Sequence, residues 1–389
     1  MYLDPYLLSP DQWTSAIAEA RDRIIAGTGR LGAGLPAPVR EELSLVLEIV
    51  NSSYSNAMEG NPTRVGQIFD AKEGKLAGTA AERNFQLEHL AHLHASEIMR
   101  RRLAENPSLS PADSSFLQEI HREFYTKLPE SMRTATLGSG EKTPIVPGQW
   151  RTLAATVGRF HAVDQDKIPA CMEELAQAYD PARLNPRDAL MALAASHHRF
   201  LWVHPFPDGN GRAVRLFTEA MAIRLGYAGH HLYSISRGLA RRRREYDEAL
   251  GEADAPRWND LDGRGNLSLK GLAGFCEFFL EVMSDQIDFM NKALDPEALA
   301  GRLKDHLQAW KAGGRISSSE IKVLLHLFKV GEIRRGDIRS ISGLERRQIS
   351  RIAAHLLSLG LVRSGSSKGP LRPRIQRDLA RALLPEFFE

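Results

Sequence analysis

The chain has 389 residues, 43% of them hydrophobic and 25% charged, the balance of a globular protein with room for a substantial core and more than one domain. No run approaches the length of a membrane span, and the opening MYLDPYLLSP lacks the charged and apolar regions of a signal peptide, so a cytoplasmic protein without membrane contact is expected. The formal charge of +3 is unevenly spread: residues 301–389 hold 18 Lys and Arg against 8 Asp and Glu, whereas the first 300 hold 33 against 40.

Helical periodicity runs over residues 11–27 and 39–58, the second with Leu43, Val46, Leu47 and Val50 on one face. It continues over 82–105 and 111–127, with Ser110 as the expected N-cap and Pro111 near the start. His89, His92 and His94 fall in the first of these; only His89 and His92 share a face and no carboxylate or thiolate joins them, so packing is expected rather than metal binding. Cys171 and Cys276 likewise offer no metal or disulfide framework.

The stretch 136–168 is rich in Gly, Pro and Thr and reads as a loop and β-hairpin. Its GSGEKT, residues 138–143, lacks the spacing of a phosphate loop. Asn185, Pro186 and Asp188 then make a strong helix start, and Pro205 ends that helix near Val203. A second helix, AVRLFTEAMAIRLG, follows with Leu216, Ala220 and Ile223 on one face and Gly226 as its stop. Residues 251–266 are the nearest thing to a linker, before the apolar helix LKGLAGFCEFFLEVM.

Residues 316–375 give three helix candidates and then two short extended pieces, the order of a winged helix-turn-helix, with Leu344 to Leu359 as the recognition helix. Arg346, Arg347 and Arg351 on that helix, with Lys368, Arg372 and Arg374 around the wing, are candidate phosphate contacts. A DNA-binding transcriptional regulator is therefore the alternative reading of the chain, although such units also make protein contacts.

Between the two central helices lies HPFPDGNGR, residues 204–212. A glycine-rich turn entering a helix presents unpaired N–H groups and the positive end of the helix dipole, which favour an anion. Gly209 and Gly211 let a ligand approach the backbone. Arg212 and Arg215, three apart on nearly one face, can converge above it. Asp208 beside polyphosphate can hold Mg²⁺, and His204 can take a proton from a hydroxyl near neutral pH. Phe206 is expected to anchor the loop inward. Together these groups describe transfer of a phosphorus-centred group to a hydroxyl.

The string HPFPDGNGRAVR matches H-x-F-x-D/E-G-N-G-R-x-x-R at every fixed position and so resembles the Fic (filamentation induced by cAMP) family. The resemblance implies a mainly α fold, a Fic-type helical core with a β-hairpin flap, plus the C-terminal winged helix-turn-helix domain. Its implied divisions are 1–110 for an N-terminal helical region, 111–295 for the core and 301–389 for the winged helix. The implied activity is protein adenylylation: AMP passes from ATP to a Tyr, Thr or Ser hydroxyl of a protein, which can be the chain itself, with Mg²⁺ as cofactor.

In that scheme His204 is the base and Asp208 the metal ligand. Gly209, Asn210 and Gly211 form the anion cradle, Arg212 binds phosphate oxygens and Arg215 the γ-phosphate. Glycine at 211 resembles AMP-transferring members; those like the Doc kinases carry a larger basic residue there. The flap is expected near 149–168, aligning the target by strand pairing. SNAMEGN, residues 55–61, fits the family's inhibitory motif S/T-x-x-x-E-G/N through Ser55 and Glu59, and the resemblance implies that Glu59 pairs with Arg215. In some relatives this glutamate also serves AMP removal. Tyr246 is an expected adenine contact by the same resemblance, with helix packing as the alternative; the Arg241–Arg244 run is an expected solvated face, with approach to the nucleotide as the alternative, and a homodimer is an analogy with relatives.

Overall fold

The protein is described here by a computed structural model covering residues 2–136, 140, 142–157, 160–343 and 346–388, with the side chains of Arg346 and Arg347 outside that description. Apolar residues at helical spacing dictate most of it. Thr14 caps α1 (Ser15–Arg30), its hydroxyl accepting the Ile17 N–H, so this helix starts later and runs further than the sequence pattern alone indicates. In α2 (Ala37–Ala57) Val39, Leu43, Val46, Leu47 and Val50 are all buried, as the periodicity predicts. α3 (Val65–Lys72) and α4 (Ala80–Glu105) pack on it and on each other.

Asp113, not Ser110, caps α5 (Ser114–Thr126): its Oδ1 accepts the Ser115 and Phe116 N–H groups at 2.8 and 3.1 Å. The Ser110 hydroxyl is buried without a partner. A carboxylate at the cap answers the positive helix end better than a hydroxyl does.

Two small antiparallel pairings occupy the Gly- and Pro-rich stretch where one hairpin is expected. β1 (Thr134–Thr136) pairs with β2 (Lys142–Pro144), and β3 (Thr156–Val157) with β4 (Phe160–His161). The second falls inside the expected flap; Gly158 and Arg159, like Gly138, Ser139 and Glu141 of GSGEKT, lie outside the described residues.

The centre of the molecule is α6 (Ile168–Ala178), α7 (Ala189–Val203) and α8 (Asn210–Arg224), followed by α9 (Ile235–Arg241) and α10 (Arg243–Ala253). α7 is buried nearly all round, and α11 (Leu269–Ala293) lies along it, contacting α1, α9 and α10 as well. The 251–266 stretch is pinned rather than free: Asn266 donates its N–H to the Asp4 carbonyl, and Asp262 accepts from Ser268 and Lys270.

After α12 (Pro296–Ala312) come α13 (Ser318–Val330), α14 (Ile338–Ser342) and α15 (Arg346–Ser358), then β5 (Val362–Arg363) paired with β6 (Arg372–Pro373), and α16 (Arg377–Leu383). Ile333 and Leu371 exchange backbone hydrogen bonds beside that hairpin. The order is helix, helix, helix, hairpin. Its apolar side is continuous with the rest: Phe388 packs on Phe69 and Phe387 on Phe289, at ring separations of 6.0 and 5.9 Å.

Candidate active site between two central helices

α7 ends at Val203, and His204 follows with φ 49° and ψ 59°, a left-handed conformation that residues other than glycine rarely take. Arg151, 5% exposed, holds it there. Its Nε donates to the His204 carbonyl and its backbone N–H to the Pro205 carbonyl, both at 2.8 Å, while the other guanidinium nitrogens reach the carbonyls of Leu153, Val163 and Val203. Burial, reinforced by the Arg151 charge, pushes the imidazole pKa down to about 4. The ordinary histidine value assumed from sequence is thus corrected by desolvation. At neutral pH the ring is unprotonated and can act as a base.

Phe206 is fully buried against His121, Trp150 and Phe200, at ring separations of 3.9, 4.7 and 6.3 Å, a burial worth about 1.5–3 kcal/mol. Asn210 closes the loop around it, accepting the Phe206 N–H at 2.9 Å and donating to its carbonyl at 2.8 Å. The Asn210 side chain is therefore a brace, and only its backbone N–H faces the cradle role. Gly209 takes φ 76° just before α8, whose first N–H groups have no intrahelical acceptor.

Asp208 is half exposed, and its Oδ2 accepts the Tyr125 hydroxyl at 2.5 Å and Arg212 at 3.3 Å. His121 accepts the Gly148 N–H at Nδ1, which leaves Nε2 to donate to the Asp208 carbonyl at 3.2 Å. Burial pushes the His121 pKa to about 3, keeping it neutral. Arg212 is buried over the Phe124 ring at 4.7 Å, lies 3.7 Å from Glu88, and has an Nε without a partner. A buried, unsatisfied guanidinium nitrogen beside a helix N-terminus suits a phosphate oxygen.

Arg215 is engaged at two of its three guanidinium nitrogens. Its Nε donates to Ser55 Oγ at 2.8 Å, and its Nη2 donates to the Ser55 carbonyl at 2.8 Å and to Glu59 Oε1 at 2.6 Å. Burial opposes the Glu59 charge, but the Arg215 and Arg212 guanidiniums outweigh it and hold the carboxyl below its usual pKa. Gly211 makes the contact possible, since a Cβ there would lie 2.3 Å from Glu59 Oε1.

Other expected residues fall differently. Tyr246 is 4% exposed, with its hydroxyl on His197 Nε2 at 2.8 Å and its ring near Phe278, which gives it a packing role and no open face for a base. The Arg241–Arg244 run is not wholly solvated: Arg243 donates to the Met58 carbonyl at 2.7 Å, beside Glu59. His89 bonds Ser52, Asn56 and Asn61, His92 is buried, and His94 pairs with Glu123; among the described residues no cluster of metal-ligating groups occurs. Of the candidate nucleic-acid contacts, Arg351, Lys368 and Arg374 are exposed, while Arg372 is paired with Glu332 at 2.6 Å. No described helix is long and apolar enough to cross a membrane.

Sequence reasoning did not single out Tyr125, His121 or Arg151. Each comes from a distant segment with no local pattern to mark it.

Residues 111–222 match the profile of the Fic/DOC family. The chain is 28% identical over 113 residues to protein adenylyltransferase fic-1 of Caenorhabditis elegans, covering 29% of this chain and 22% of that protein. It is 26% identical over 187 residues to protein adenylyltransferase Fic of Nematostella vectensis, covering 45% and 37%. The match thus spans well under half the length of these relatives. Among solved structures, a Fic family protein from Desulfovibrio desulfuricans G20 aligns with TM-score 0.56 at 18% identity over 96% of this chain and 98% of that one. A Fic domain containing signaling protein from Bacteroides thetaiotaomicron VPI-5482 aligns with TM-score 0.53 at 20% identity over 72% and 97%. At these identities the structures speak for the fold.

Proposed function

This chain is a Fic family protein, and from that premise we propose that it transfers AMP from ATP to a protein hydroxyl and that Glu59 restrains it. The observation that carries the reading is the convergence of neutral His204, the N-terminus of α8, Asp208, Arg212 and Arg215 on one loop, with Glu59 inserted among them.

His204 accepts the proton as the acceptor hydroxyl oxygen bonds to the α-phosphorus. The bond from that phosphorus to the bridging oxygen breaks, and pyrophosphate leaves. The α8 N-terminus and Arg212 stabilise charge on the transferred group. Tyr125 and Arg212 both donate to Asp208 Oδ2, and the side chain is still half exposed, so its carboxylate fits a hard cation shared with phosphates. Mg²⁺ there would neutralise phosphate charge. Arg215 is the γ-phosphate ligand, and with its Nε and Nη2 committed to Ser55 and Glu59 it holds ATP out of line for attack.

The test is intact-mass spectrometry of wild type, Glu59→Gly and His204→Ala incubated with Mg²⁺-ATP. An added AMP mass is expected soonest in Glu59→Gly, with transfer lower by about 10²–10⁴-fold in His204→Ala. Equal adduct formation in His204→Ala would remove the base assignment. No adduct in any sample, nor labelled AMP transferred to proteins of a lysate, would remove the activity.

A further inference from the structure

The helix that delivers the restraint is gripped at both ends. At the C-terminal end of α2, Ser55 and the following Glu59 meet Arg215. Its N-terminal half lies on the C-terminal unit. Arg363 of β5 pairs through Nε with Glu42 at 3.0 Å and reaches Glu41 at 3.4 Å, while Glu42 Oε2 accepts the Ile375 N–H at 2.9 Å. Glu42 is 5% exposed, so these partners replace the water it has lost. Gly331, which ends α13, comes so close to the start of α2 that a Cβ would lie 2.7 Å from Pro36 and 2.9 Å from Pro38. The next helix, α3, is tied down too: both Asp70 oxygens accept from Arg377, at 2.6 and 2.8 Å. The basic surplus of residues 301–389 and the acidic surplus of the remainder therefore meet inside one molecule.

We propose that the C-terminal unit is a second brake on the enzyme, clamping α2 through Arg363 and Glu42 so that Glu59 stays seated against Arg215. The proposal rests on the reading of Glu59 as the restraint on AMP transfer. From Glu42 to Ser55 the helix contains neither Gly nor Pro and spans about 20 Å at 1.5 Å per residue. Such a rod moves as one piece, so a shift at Glu42 is carried to Ser55 and Glu59. Withdrawing Arg363 leaves a buried carboxylate with only the Ile375 N–H and the nearby Arg374 charge to answer it, which weakens the hold of the C-terminal unit on α2. A partner able to relieve the brake must then compete for Arg363 and Arg377 with closely spaced negative charge.

The experiment combines AMP transfer with hydrogen–deuterium exchange on full-length protein. Arg363→Ala and the double variant Arg363→Ala/Arg377→Ala are compared with wild type, each with and without Glu59→Gly, and Arg363→Lys serves as the conservative control. Transfer is expected to rise on the order of tenfold in Arg363→Ala, to stay near wild type in Arg363→Lys, and to change less than twofold when Glu59→Gly is already present. Exchange of the amides around residues 53–60 is expected to quicken in Arg363→Ala. Unchanged exchange there in both arginine variants would overturn the clamp, as would an equal rise in the Glu59→Gly background. If Glu59→Gly itself transfers no AMP, the activity reading fails instead, and the exchange data still decide whether α2 is held by Arg363.

Discussion

A histidine that is to remove a proton at pH 7 must be unprotonated there, and His204 reaches that state by losing water rather than by gaining a carboxylate partner. Burial comes first among the causes of its low pKa and the Arg151 charge second, so both act in the same direction. The same arginine fixes the backbone that carries the ring, because its hydrogen bonds run to the carbonyls of Val203, His204 and Pro205 around a left-handed residue. A residue held at such a backbone angle costs about 1–3 kcal/mol, which the buried guanidinium helps to offset. In ligand-free protein, NMR of the His204 ring should show no titration between pH 8 and 5.5 and a midpoint near 4. A midpoint close to about 6.5, the ordinary value, would mean that the ring is solvated and that Arg151 does not control its charge.

At the scale of elements, the site is the meeting of two helix ends, the C-terminal end of α2 and the N-terminal end of α8. Both were legible in the sequence because each carries its chemistry in consecutive residues, SNAMEGN and HPFPDGNGR. What brings them together was not legible. Tyr125 reaches Asp208 across 83 positions of chain without a periodic or compositional mark, and the arginine run that contains Arg243 gives no sign of its reach to Met58 across 185. Tyr246 differs in kind: resemblance marked it as an adenine contact, and the packing of α10 on α11 buries its ring. The close fit of the two helix ends is testable by coupling. Gly211→Ala places a methyl 2.3 Å from Glu59 Oε1 and 3.0 Å from Arg215 Nη1, and should cost about 1–3 kcal/mol of stability. Glu59→Ala removes the nearer obstacle, so the double variant should recover at least about 0.5 kcal/mol relative to additivity in urea denaturation. Strictly additive costs would show that the methyl is accommodated without moving Glu59.

For the molecule as a whole, the same desolvation that tunes His204 is repeated at other histidines. His89, His92 and His121 are all pushed down to about 3, in each case mainly by burial, and they sit in the packing around α2, α4 and α5 rather than in solvent. A histidine that is neutral when folded but titrates near its ordinary value when unfolded contributes stability that is complete above about pH 6.5 and is lost as pH falls toward the folded value. The unfolded chain binds the extra protons, so the sign is destabilisation by acid. Four such groups, each contributing on the order of 1 kcal/mol per pH unit below that threshold, lie among two apolar clusters, one centred on α4 and α5 and one that extends from Leu3 to Phe387. Carboxylates such as Glu59 and Glu219, held below their usual pKa, add the same trend only at lower pH. The urea midpoint should therefore fall between pH 6.5 and 5, opposed only in part by Glu42 and Glu48, whose carboxyls burial pushes up, and it should do so as one transition because the larger cluster joins the central helices to the C-terminal unit. Equal midpoints at pH 7.5 and 5 would show that these rings remain solvated enough to titrate normally.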